Sequence, residues 1–186
     1  MRAIREIGWR RTVKFGLWTI IHALFQLLIF PPLRSIALRW MGASVGKETV
    51  IHSIRFFNLD RTGFRGLRIG DRCFIGDECL FDLAEAVILE DDVTVAERVT
   101  LLTHMNVGYA DHPLRTYFPP RAARVIIRHG AFIGACATIL SGVEIGTCSM
   151  VGAGALVRSD VPAFSVTGGV PARIRAGRRL GERAPA

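Results

Sequence analysis

Residues 127–161 read IRHGAFIGACATILSGVEIGTCSMVGAGALVRSDV. An aliphatic stands at Ile127, Ile133, Ile139, Ile145, Val151 and Val157, six positions in strict register. Glycine follows several of them, at Gly134, Gly146 and Gly152. Four residues after each aliphatic comes a small or β-branched side chain: Ala131, Ala137, Val143, Ser149, Ala155 and Val161. A period of six matches neither the helix nor the alternating strand. It fits short strands joined by tight turns, each turning one aliphatic inward, stacked coil on coil as a solenoid. At three hexads per coil, Ile127 lies over Ile145, Ile133 over Val151 and Ile139 over Val157, giving three internal ladders.

The lattice extends upstream. Ile69-Gly70, Ile75-Gly76 and Phe81-Asp82 keep the same spacing. A two-residue slip follows, then Leu89, Val95 and Leu101. Val45-Gly46 and Ile51-His52 share the phase of Ile69, which predicts an earlier, less regular coil. Cys73 and Cys79 occupy the small position of consecutive hexads, and Cys136 and Cys148 sit two hexads apart. No CxxC pair or zinc spacing is formed, so all four cysteines are read as structural, in a reducing compartment.

The run AFIGACATILSGVEIGTCSMVGAGALVRSDVPAFSVTGGVPARIRAG, starting at Ala131, resembles the C-terminal half of the hexapeptide-repeat acyltransferases. The resemblance covers roughly residues 42–176. It implies an all-β fold, a left-handed parallel β-helix, and assembly as a homotrimer. The family includes sugar and polysaccharide O-acetyltransferases, serine acetyltransferases and antibiotic acetyltransferases, so the implied activity is acetyl transfer from acetyl-CoA. Fold alone does not decide function, since γ-class carbonic anhydrases and structural proteins share it.

Between Leu101 and Val125 the lattice breaks into LLTHMNVGYADHPLRTYFPPRAARV, so residues 103–124 are expected to project as a loop. A long loop without repeat signature in a compact domain is usually functional. It holds His104 and His112. An alcohol attacking a thioester must lose a proton, which a neutral imidazole is suited to take. No G-x-S-x-G elbow argues for an acyl-enzyme. His104 lies close to the rigid coil, after Leu101 and Thr103. His112 sits in an HPL triplet that resembles one in maltose-type acetyltransferases. Either is the candidate base. In the resembling enzymes a catalytic histidine sits at this break, at a T-x-x-H spacing that here lands on Asn106. Asp82, at the slip, matches an Asp or Asn on their acceptor side and is expected to orient the acceptor hydroxyl or the imidazole. Asn106 and Arg115 are expected as further acceptor contacts. For acetyl-CoA the resemblance points to backbone at Gly134, Ala135 and Ala153, with Arg158, Arg173 and Arg175 pairing with its phosphates. No metal is expected.

Residues 1–41 form a separate segment. FGLWTIIHALFQLLIF, residues 15–30, carries no charge and precedes Pro31-Pro32. As a helix it reaches about 24 Å, short of a bilayer core. Thr19, His22 and Gln26 make one weakly polar stripe on it. LRSIALRWM, residues 33–41, sets Arg34 and Arg39 among apolar residues, as interfacial helices do. Three arrangements remain open: a transmembrane anchor, a monotopic anchor in the cytosolic leaflet, and a helix packed on the domain or a neighbouring subunit. Because the lattice begins at Val45, residues 1–32 are expected to be separable from a folded body. No small-residue cleavage site follows the apolar run, so it is read as uncleaved.

The 186 residues carry 24 Lys and Arg against 16 Asp and Glu, a net charge of +8. Residues 1–14 and residues 171–186 hold +4 each, leaving the body neutral and residues 177–186 a basic tail. A nucleic-acid binder would carry its basic stripe on the folded body. Tails of this kind suit a membrane surface or a phosphate-bearing small molecule. The expected protein is therefore an O-acetyltransferase on the cytoplasmic side of the cell membrane, or cytoplasmic. Its acceptor is a hydroxyl of a sugar or lipid-linked glycan, as in polysaccharide biosynthesis. The competing readings are a γ-type carbonic anhydrase, using His104, His112 and His129, and a non-catalytic β-helix scaffold.

Overall fold

A computed structural model describes residues 8–179, with side chains through residue 175. The hexads form three parallel sheets around one axis, a left-handed parallel β-helix of five coils. The first sheet stacks Ser44–Val45, Leu67–Ile69, Val87–Leu89, Val125–Ile127 and Glu144–Ile145. The third stacks Ile54–Phe57, Cys79–Asp82, Thr100–Leu101, Thr138–Ile139 and Leu156–Val157. The second adds a closing antiparallel pair, Ser165–Gly168 with Arg173–Arg179. That pair takes in residues 177–179, so the strand runs past the expected domain end at 176. The rest of the expected tail, with Arg183, lies outside the described residues.

Ile127 pairs with Ile145, Ile133 with Val151 and Ile139 with Val157, as the period requires. The upstream rungs join the same ladders: Val45, Ile69 and Leu89 on the first face, Ile51, Ile75 and Val95 on the second. The first coil reaches its third face one residue early, so Phe56 pairs with Phe81. These inward aliphatics are almost wholly buried and form one continuous core. Gly134 is required by the stacking: a Cβ there would stand 2.6 Å from the Ala153 amide nitrogen of the next coil.

The corners show a rule that the period did not reveal. The third residue after a lattice aliphatic takes a left-handed conformation: Arg72, Glu78, Asp92, Arg98, Cys136 and Cys148, and the glycines 130, 142 and 154. The hexad thus contains an extended pair, a corner at positive φ and an inward small residue. Cys73 and Cys79 are buried, and burial pushes their thiols up, Cys79 to about 11. Cys136 is exposed at its corner, so its role is the turn and not the core.

Two helices precede the solenoid: α1, Trp9–Gln26, and α2, Pro31–Trp40. Pro31 and Pro32 open α2, where a missing N–H costs nothing. α2 caps the first coil. Leu38 is fully buried, Ser35 Oγ donates to the Thr49 carbonyl at 3.1 Å, and Arg39 Nε donates to the Val45 carbonyl at 2.7 Å. Arg34 is buried and donates to the Leu28 carbonyl, so it faces inward and not toward a headgroup. α1 covers the free edge of the third sheet. Gln26 Nε2 donates to the Ile54 carbonyl at 2.7 Å, and the Phe56 amide donates to His22 Nε2 at 3.1 Å. Burial, with Arg55 nearby, lowers the His22 pKa and favours the neutral ring that accepts this bond. Phe25 packs on Phe56 and Phe64, and Trp18 on Phe64.

These contacts correct two expectations. α1 is packed on the solenoid and is not a detached segment, because it supplies core side chains and satisfies a sheet edge that would otherwise be open to pairing; residues 1–7 lie outside the described residues. The transmembrane arrangement also falls: no described helix is long and apolar enough to cross a membrane. The polar stripe expected at Thr19, His22 and Gln26 divides. His22 and Gln26 bind the solenoid, while Thr19 Oγ1 donates within α1 to the Phe15 carbonyl.

Candidate active site

The slip in the lattice and its later break meet in space. Asp82 ends the strand Cys79–Asp82, and His104 opens the strand His104–Met105, which pairs antiparallel with Arg121–Ala122. That two-stranded pair forms the base of the projecting loop, so His104 is anchored where the loop leaves the coil. The Asp82 carboxylate is fully buried, while the His104 side chain keeps 25% of its surface exposed.

Asp82 Oδ2 contacts His104 Nδ1 and accepts from the Thr103 amide at 3.0 Å. Oδ1 accepts from Asn58 Nδ2 at 2.7 Å and from the Ala84 amide at 3.0 Å, the latter closing an Asx turn across the slip. Thr103 Oγ1 donates to the Asp82 carbonyl at 2.9 Å and accepts from the Glu85 amide at 3.0 Å. Burial alone would push the carboxyl up. The bonds from Asn58, His104 and the two amides outweigh it and hold Asp82 below the usual carboxylate range. An ionised, saturated carboxylate beside Nδ1 keeps a proton on that nitrogen. The Nε2 lone pair is then free to act as a base.

Asn58 and Thr103 were not singled out in the sequence. Asn58 adopts φ 57°, a left-handed conformation that asparagine tolerates, just before the short helix α3, Leu59–Thr62. The signal was an Asn between hexads, where no hexad position explains it.

The other candidates lie elsewhere. His112 Nδ1 accepts from the Leu114 amide at 3.2 Å and caps the turn Pro113–Arg115. No hydrogen bond or ion pair among the described residues joins His112 to His104 or Asp82. Asn106 Oδ1 accepts from the Gly108 amide at 3.1 Å, and Arg115 donates to the Gly108 carbonyl at 3.4 Å, so both shape the loop. Gly134, Ala135 and Ala153 lie on consecutive C-terminal coils, where the Gly154 amide donates to the Ala135 carbonyl at 2.8 Å. Arg158 is exposed beyond the strand Leu156–Val157, and Arg173 and Arg175 are exposed on the closing strand. His129 lies 3.5 Å from Asp92, away from the loop histidines. Among the described residues no group of three or more His, Cys, Asp or Glu side chains is placed to share a metal.

The family profile described as "Hexapeptide repeat of succinyl-transferase" matches residues 66–97 and 124–159. Serine acetyltransferase 4 of Arabidopsis thaliana is 33% identical over 109 residues, 59% of this chain and 29% of that protein. The chain thus spans less than a third of that curated relative. A hexapeptide-repeat acetyltransferase from Vibrio cholerae superposes with a TM-score of 0.76 at 22% identity, covering 94% of this chain and 95% of that one. A galactoside acetyltransferase in complex with coenzyme A gives 0.75 at 24% identity, covering 91% and 83%. These likenesses are of fold. Together with the repeat profile and the partial identity, they make the chain similar in fold to hexapeptide-repeat proteins of the left-handed β-helix type, acetyltransferases among them.

Proposed function

We propose that the chain is an acetyl-CoA-dependent O-acetyltransferase in which His104 is the general base and Asp82 positions it. The observation that carries this is the buried Asp82 carboxylate on His104 Nδ1 at the root of the loop. Acetyl-CoA, when bound, supplies the thioester carbonyl. His104 Nε2 takes the proton of an acceptor hydroxyl as its oxygen attacks that carbonyl. The resulting imidazolium, stabilised by Asp82, returns the proton to the departing thiolate. Proximity and one base suffice, without an enzyme nucleophile. The coil edge at Gly134, Ala135 and Ala153 offers small side chains for a thin pantetheine arm, and Arg158, Arg173 and Arg175 are the cations for its phosphates. His112, Asn106 and Arg115 are assigned to the loop that covers the acceptor.

The acceptor class proposed is a sugar or a lipid-linked glycan. A homotrimer is supported by the outward side of the second sheet. Val50, Phe74, Thr94, Phe132 and Met150 follow one another there in register, and the four apolar members are each about 40% exposed. Contact with the cytosolic leaflet is supported by the outer face of α1 and α2, which leaves Trp9, Leu24, Leu27 and Trp40 exposed.

The test is CoA release from acetyl-CoA with a panel of mono- and disaccharides. His104→Ala should lower turnover by about 10²–10⁴-fold, the range for loss of a general base, while acetyl-CoA binding persists. Near-normal turnover in that variant, with collapse in His112→Ala, moves the base to His112.

A further inference from the structure

We infer that the groove between α1 and the strand Ile54–Phe57 binds the aliphatic chain of an amphiphilic acceptor whose hydroxylated head reaches His104, an inference that rests on the acetyl-transfer reading above. The groove encloses about 260 Å³. Phe15, Trp18 and Thr19 of α1 face Phe57, Asn58 and Leu80 of the solenoid across it. Two of these residues also belong to the surroundings of the base. The Phe57 ring lies 6.3 Å from the His104 ring, and Asn58 holds Asp82. A molecule lying in the groove therefore ends beside His104.

The chemistry of the walls selects the occupant. Of the polar side chains that line the groove, His22, Thr19 and Asp60 are already engaged, while Arg55 is exposed. His22 Nε2 accepts from the Phe56 amide, Thr19 Oγ1 donates to the Phe15 carbonyl, and Asp60 pairs with Arg11 at 2.7 Å. What these groups leave toward the groove is largely aromatic and aliphatic carbon. A bare sugar would find only Arg55 and Asn58 as partners there and would lose water against the aromatic and aliphatic wall. An alkyl or prenyl chain loses nothing and buries apolar surface. The hydroxylated part of the acceptor then lies at the polar end, by Asn58 and His104.

The experiment is isothermal titration of the full chain with methyl, octyl and decyl β-glucoside, below their micelle concentrations. Affinity should rise by about threefold to fourfold for each methylene that enters the groove. Thr19→Phe, which fills the groove from an exposed helix position, should abolish that rise. Leu24→Gln, on the opposite and outward side of α1, should leave it intact. Affinity independent of chain length overturns the inference. So does a chain-length effect that survives Thr19→Phe and disappears in Leu24→Gln, which would locate the chain on the outer helix face. CoA release is scored in parallel. Chain-length-dependent binding without CoA release from any glycoside upholds the groove and defeats the acetyl-transfer reading.

Discussion

At the scale of single residues, the site depends on one carboxylate. Asp82 is fully buried and accepts from two backbone amides and Asn58 besides its contact with His104, so its geometry is over-determined. Asp82→Asn keeps the shape but offers an amide that can donate to Nδ1, which favours the tautomer with its proton on Nε2. Turnover should fall by roughly 10²-fold or more, with little change in acetyl-CoA affinity. A merely structural Asp82 would instead lower the melting temperature and spare the turnover of the folded fraction. The same carboxylate makes stability acid-sensitive. Its folded pKa lies below the unfolded value, so its contribution is present above about pH 4 and is lost as pH falls through the folded value. Asp82→Asn should flatten that part of an acid-unfolding curve, and a curve unchanged by the substitution contradicts the assignment. Much of this candidate site was legible in the sequence. Asp82 and His104 were visible because each interrupts a strict lattice. Asn58 and Thr103 were not, because their roles depend on a contact between a slip and a break some twenty residues apart. His112 stayed level with His104 there because a triplet says nothing of where its ring nitrogen points.

At the scale of elements, the six-residue period decided the coils because each hexad repeats one physical task, an inward aliphatic over the one below. The corner rule stayed hidden because the left-handed position carries Arg, Glu, Asp and Cys as often as Gly. No composition signal marks it. The N-terminal helices stayed open among three arrangements for a related reason. Apolar residues dominate their sequence, and periodicity cannot tell a face buried in lipid from one buried in protein. The structure separates the two faces. Phe25 is 3% exposed and packs between Phe56 and Phe64. Phe25→Ala should therefore destabilise the whole domain by about 3–5 kcal/mol. Denaturant titration followed by far-ultraviolet circular dichroism measures this. A change confined to the helical signal, with the β-helix unaffected, would restore α1 as an independent appendage.

At the scale of the molecule, α1 and α2 leave an outer surface that the chain itself does not cover. Val13, Leu17, Ile20, Leu24 and Leu27 follow at alternating steps of four and three, one stripe opposite the buried side. Ile29, Phe30, Leu33, Ile36 and Trp40 extend it along the turn and α2. Leu27 is 73% exposed and Trp40 88%. A continuous apolar surface of this extent on a folded domain marks an interaction site. Charge points to its partner. Residues 8–41 contain Arg10, Arg11, Lys14, Arg34 and Arg39 and no acid. Arg10 and Lys14 are exposed beside the stripe, and exposed tryptophans lie in both helices. Apolar face, basic flank and aromatic ends together match a helix pair lying in the plane of an anionic leaflet. In that orientation the groove beside His104 would lie near the lipid surface from which an amphiphilic acceptor comes. The protein should float with vesicles of phosphatidylcholine and phosphatidylglycerol. It should bind vesicles of phosphatidylcholine alone more weakly, and the difference should shrink as salt screens the charges. Ile20→Glu with Leu24→Glu should reduce binding by about 10²-fold or more, since each buried aliphatic of this size contributes about 1.5–3 kcal/mol. The β-helix should be unaffected, because both side chains are about 60% exposed. A wild-type protein that stays off both kinds of vesicle, and whose oligomeric state drops in the double variant, would mean that the stripe packs against another copy of the chain and not against lipid.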